Sequence, residues 1–140
     1  MPDRKWLPAL CGPALAVAMM MGLPAAEAHH AFAAEFDADQ PVQLDGVVTR
    51  IQWVNPHSWL YVDVKQPDGS LVNWALEFGA PFALQQKGLK KSDFPIGVPV
   101  AVKGFRSKSG KPVANASSVK LADGRDFYTA AQDSPDTPPP

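Results

Sequence analysis

From Val42 to Leu121 the chain alternates apolar and polar residues in five runs, bounded by glycine, proline or Asp-Gly pairs. Period-two alternation sends successive side chains to opposite faces of a strand, so this pattern confines the chain to half-buried sheet with one helical interruption. The first run, Val42 to Val54, is long for one strand and holds Gly46, which predicts a bend or bulge there. Asn55-Pro56 ends it, because proline has no amide proton for a ladder and restricts the residue before it. In the second run, His57 to Lys65, the residues Leu60, Val62 and Val64 point one way and His57, Trp59, Tyr61 and Asp63 the other. Pro67-Asp68-Gly69 turns the chain into a third run, in which Val72, Trp74, Leu76 and Phe78 oppose Asn73, Ala75 and Glu77.

Pro81 to Lys87, opened by proline and closed by Gly88, reads as about two helical turns. Val98 to Arg106 is the fourth run, a loop from Ser107 to Gly110 follows, Val113 to Leu121 is the fifth, and Asp123-Gly124 ends the sheet. Three strands, a short helix and two more strands, with a curled first strand, is the order of an oligonucleotide/oligosaccharide-binding barrel. The expected fold is therefore mainly β: a small five-stranded OB-like β-barrel with one short helix between strands 3 and 4. A two-sheet sandwich is the alternative.

Ahead of the sheet, Arg4 and Lys5 precede an apolar stretch from Leu7 to Leu23, and Ala26-Glu27-Ala28 has the small-x-small form of an export cleavage site. Residues 1–28 are read as a signal peptide, which predicts a periplasmic or secreted protein. The unbroken apolar core, Ala14 to Leu23, is short of the roughly 20 residues that span a bilayer, so no stable membrane anchor is expected after cleavage. Residues 29–41 then form an N-terminal arm, 42–127 the OB-like barrel domain, and 128–140 a disordered Pro-rich tail.

Removing 28 of 140 residues leaves 112, enough for one small domain. It also removes Cys11, the only cysteine, so disulfides and thiol catalysis are excluded and any metal would be held by nitrogen and oxygen. Without Asp3, Arg4, Lys5 and Glu27, the 13 basic and 14 acidic residues fall to 11 and 12. That near balance argues against a nucleic-acid partner, which calls for a net basic surface.

Four segments together resemble a family of short exported bacterial proteins of unknown function. They are the His29-His30-Ala31-Phe32 start, Trp53-Val54-Asn55-Pro56-His57, Trp74 and Phe78 before Gly79-Ala80-Pro81, and Val102-Lys103-Gly104-Phe105-Arg106. The resemblance covers nearly all of the chain after residue 28. It implies a periplasmic or secreted single domain with a histidine pair at its start, and it carries over no catalytic residues.

Two constellations stand out as candidate sites. On the polar face of strands 2 and 3, Trp59, Tyr61, Asn73 and Glu77 form an aromatic patch with polar handles, suited to stacking a small ligand or to a periplasmic partner protein. The alternative is that the arm folds back through Phe32 and Phe36 and covers these rings. The second constellation is the histidines. Cleavage after Ala28 would leave His29 first, offering its amine and ring Nδ1 to one ion; with His30 or His57 this is the nitrogen-rich set that Cu(II) favours. Solvated histidines are the plainer alternative. Zinc is disfavoured, because no H-E-x-x-H or comparable spacing occurs.

A basic set, Lys103, Arg106, Lys108 and Lys111 with Lys87, Lys90 and Lys91, reads as a solvated face. Enzymatic signals are thin: Ser58 and His57 are strand neighbours facing opposite ways, and Glu77 with Asp63 has no predictable cleft. The expected function is binding or accessory rather than catalytic, with copper binding by His29 and His30 or His57 as the alternative.

Overall fold

The computed structural model describes residues 26–130, with side chains from Ala31 onward. Most of the expected signal peptide and the tail from residue 131 lie outside the described residues. The elements are α1 (Ala26–Glu35), β1 (Phe36–Gln52), β2 (Trp59–Lys65), β3 (Leu71–Glu77), α2 (Pro81–Gln86), a 3₁₀ turn (Lys91–Asp93), β4 (Pro99–Ser107), β5 (Val113–Leu121) and β6 (Asp126–Tyr128). The chain is mainly β, as its alternation requires. Six strands form one sheet in the order β3-β2-β1-β4-β5-β6, and a parallel β3–β5 pairing closes five of them into a ring. One sheet closed on itself replaces the two-sheet alternative.

Closure depends on β1, which serves two neighbours. Its residues Pro41 to Val47 pair with β4, and Gly46 to Gln52 pair with β2. A strand shared in this way must curl, and Gly46, paired on both sides, passes close to β2: a Cβ there would stand 3.0 Å from Cβ of Val62. A register shift between Val48 and Arg50 adds a bulge.

The inner faces of β2 and β3 follow the alternation, with Leu60, Val62, Val64, Trp74 and Leu76 all buried. Six residues inside the ring, Leu60, Val62, Leu76, Val102, Ala116 and Val119, are at most 1 % exposed, so the fold rests on apolar burial with no covalent staple. Leu84 of α2 and the following Leu89 join this core, and Phe94 lies between Phe78 and Trp53 at centroid distances of 5.8 and 6.5 Å.

Two boundaries differ from the sequence reading. The first strand begins at Phe36, six residues before Val42, although the stretch between Phe36 and Pro41 slips register against β4. Its exposed Ala38, Asp39 and Gln40 carry no alternation to betray it. Asp123-Gly124 does not end the sheet either. It forms a hairpin turn, with Gly124 N–H donating to Leu121 O at 3.0 Å, and β6 then pairs with β5 from Lys120↔Asp126 to Ser118↔Tyr128. Three residues are too few for a period-two pattern to register. Past it, in the segment assigned above to the tail, Thr129 is buried and its hydroxyl donates to Ala116 O at 2.9 Å.

Candidate functional site

Because strand pairing fixes which side chains share a row, the ring's outer face can be built residue by residue. Trp59 of β2 lies opposite Glu77 of β3, Glu77 opposite Asn115 of β5, and Asn115 opposite Phe105 of β4. Their chain neighbours Leu60, Leu76, Ala114 and Ala116 face the core, so all four members of the row face outward. The row thus sets an acid and an amide between two aromatic rings. Gln52 of β1 extends it beyond Trp59.

α1 covers one end. Phe32 stacks tilted on Phe36 at 5.6 Å and edge-on to Phe105 at 5.9 Å. Lys108 fastens the helix, its Nζ donating to Ala33 O and its backbone amide to Glu35 O. The arm does fold back, but its ring contacts fall on Phe105; Trp59 and Tyr61 stay half-exposed.

Glu77 is 5 % exposed, unusual for an acid on an outer face. Burial pushes its carboxyl above the ordinary range; His57 pulls it down and Glu35, at the end of α1, pushes it up further. Its contact is with His57, whose Nδ1 meets Oε1. Ser58 holds that histidine in place: its amide donates to Gly79 O at 3.1 Å and its carbonyl accepts from Phe78 N–H at 2.8 Å. Beside Glu77, the Oδ1 of Asn115 is buried and has no hydrogen-bond partner among the described residues, in a residue only 3 % exposed. The strands approach closely here: a Cβ on Gly104 would lie 2.0 Å from Asn115 O, which makes glycine obligatory at that position.

The remaining expected residues divide. Tyr61 joins the same face, with the Arg50 guanidinium 3.9 Å from its ring centroid and its hydroxyl donating to Gln52 Oε1 at 2.9 Å. Asn73 lies four strand positions from Glu77, roughly 13 Å, and its amide is committed to Asp63 at 2.8 Å and Thr49 at 3.0 Å. The same spacing separates Asp63 from Glu77, so they form no carboxylate pair. Ser58 is buried while His57 is not, so the two do not act together. The side chains of His29 and His30 lie outside the described residues, though both positions fall in α1. Among the described residues no group of three or more His, Cys, Asp or Glu gathers around a metal position.

Of the basic set, Lys108 is spent on α1 and Arg106 lies over the Trp74 ring at 5.1 Å. The sequence reading missed Asn115, Phe105, Arg50 and Gln52 as members of this face. Only the parallel closure of β3 on β5 brings Asn115 beside Glu77, and no local pattern announces such a closure. A groove of about 700 Å³ opens elsewhere, between Val47, Leu71 and Ala101. Its walls contain none of the buried unpartnered polar atoms, so the row is the better candidate.

Compared with known proteins, residues 17–116 match the model of a family of unknown function, DUF6152. No curated protein and no solved structure matches the chain.

Proposed function

The chain belongs to that family, and we propose that it is an exported binding or accessory module, an OB-like barrel whose outer β2–β3 face takes a small ligand or a periplasmic partner protein. Export rests on the charged start at Arg4 and Lys5, the apolar stretch after it and Ala26-Glu27-Ala28, which support a periplasmic or secreted location. The ring order β1-β2-β3-β5-β4, with α2 between β3 and β4, supports the OB-like assignment. In barrels of that kind the face around strands 2 and 3 is the usual binding surface.

One observation carries the choice of site: half-exposed Trp59 stands in register with buried Glu77, next to the unpartnered Oδ1 of Asn115. A stacking surface beside unmet hydrogen-bonding capacity is how a site fixes and orients a ligand. The test is a fragment screen on the purified protein, followed by amide NMR. Binding whose shifts centre on Trp59, Tyr61 and Glu77, and which Trp59→Ala abolishes without loss of fold, is expected. Shifts centred elsewhere, indifferent to Trp59→Ala, would overturn the assignment.

The second reading is copper binding through His29 with His30 or His57, and one contact favours it. Glu77 engages Nδ1 of His57, leaving Nε2 as the open ring nitrogen of a side chain 43 % exposed. A carboxylate behind an imidazole fixes its tautomer and orientation for a metal. Cu(II) titration of the processed protein decides it. Stoichiometric binding weakened by both His29→Ala and His57→Ala supports a folded copper site, while an affinity equal to that of a free peptide with the same start rules it out.

A further inference from the structure

The row described above is unbalanced in a way that identifies its ligand. Glu77 offers a carboxylate and Asn115 an amide whose oxygen is unpartnered, and among the described residues the one contact to these oxygens is from His57 to Oε1 of Glu77. Among the described residues no hydrogen bond reaches Oε2. Arg50 lies against the Tyr61 ring, Arg106 against the Trp74 ring, and Lys108 holds α1. Glu35 adds a second negative charge beside Glu77. Aromatic rings stand at both ends, Trp59 half-exposed and Phe105 buried.

A buried carboxylate, a second acid beside it and a flanking indole make up the chemistry that recognises an organic cation. The carboxylate supplies the charge-assisted hydrogen bond, the amide oxygen takes a second N–H, and the indole face attracts the positive group. An anionic ligand would meet repulsion from Glu77 and Glu35. A neutral sugar would bring no opposite charge to a carboxyl whose burial already penalises its ionised form.

Resting on the binding-face reading, we infer that the group held at Trp59, Glu77 and Asn115 is a guanidinium or primary ammonium. It enters from the half-exposed Trp59 side, next to His57, whose side chain is 43 % exposed. A small free cation and the side chain of a basic peptide share this chemistry.

The experiment is calorimetric titration of the purified protein, with a chelator present, using agmatine, the tripeptide Gly-Arg-Gly with blocked ends, and succinate. Agmatine or the tripeptide is expected to bind at millimolar Kd or tighter. Glu77→Gln, which keeps the side-chain shape, should weaken binding at least tenfold, and Asn115→Ala several-fold. A tripeptide much tighter than agmatine identifies a peptide source, and the reverse a free cation. Absence of binding by both cations up to 10 mM overturns the inference, as does cation binding that Glu77→Gln leaves unchanged. If a neutral fragment binds in a Trp59-dependent way while the cations do not, the cation inference falls and the binding face stands. If Trp59→Ala alters no binding at all, both fall.

Discussion

Inside the ring, Leu60, Val62, Leu76 and Val119 pack against one another with no polar side chain among them; outside it, beneath α1, the rings of Phe32, Phe36 and Phe105 close over a layer that also holds Glu77 and Asn115. Both regions exclude water. In the first, burial alone is favourable, and every residue adds to stability. In the second, a charge and an amide oxygen are buried with one contact between them, which costs free energy that a purely structural layer would avoid. The interior holds the ring closed, and the outer layer keeps a buried acid and an unpartnered amide oxygen beside the half-exposed indole of Trp59, which is the basis of the proposed binding face.

The largest effect should come from the point where the two regions meet. At Gly104 the added methyl of Gly104→Ala would lie 2.0 Å from a backbone oxygen of β5, so the strands must part. The expected loss exceeds about 4 kcal/mol, within reach of a small domain's whole stability, and urea denaturation or failure to recover folded protein would register it. A loss under about 1 kcal/mol would mean that the bulge between Lys103 and Gly104 absorbs the strain and that the regions are less tightly joined than the geometry implies. Next in size is Leu60→Ala, which empties a fully buried position and should cost about 2–5 kcal/mol by the same measurement.

Outside the ring, Phe32→Ala removes two ring contacts from a half-buried residue and should cost about 1–2 kcal/mol. It should also speed amide exchange in β1 near Phe36 while leaving exchange in β2 untouched. Equal acceleration in β2 would make the outer layer part of the same cooperative unit as the core, and would erase the contrast.

The contrast also explains what the sequence disclosed. The interior was legible because alternation in the second and third runs, checked against Leu60, Val62, Trp74 and Leu76, is a local property of each strand. The bulge expected at Gly46 falls between Val48 and Arg50 instead. The outer layer depends on residues distant in sequence. Phe32 meets Phe105, and Asn115 meets Glu77, only because the sheet closes through the β3–β5 pairing. Trp59, Tyr61 and Glu77 were placed on one face, yet His57 and Glu77 were assigned to separate constellations although they touch. Alternation says which face a side chain takes but not how deeply its neighbours bury it, so the depth of Glu77 and its contact with His57 were not legible.

The smallest predicted stability change is the most informative. Burial holds the Glu77 carboxyl above its ordinary range, so the folded state favours the protonated form. The sign follows: the residue is without penalty below its ordinary pKa and costs stability as pH rises through the raised value. Glu77→Gln keeps an acceptor for His57 Nδ1 and removes that cost, so at neutral pH its stability should lie within about 1 kcal/mol of the parent, on the stable side if it moves. The gap should narrow toward pH 4, where the parent carboxyl is also neutral. A core residue as deeply buried cannot be changed so freely, as Leu60→Ala would show. If Glu77→Gln instead destabilises by several kcal/mol at every pH, the His57–Glu77 contact is a structural pin and the outer layer is an extension of the core. If stability is unchanged while ligand binding is lost, the charge at Glu77 is kept for what it binds.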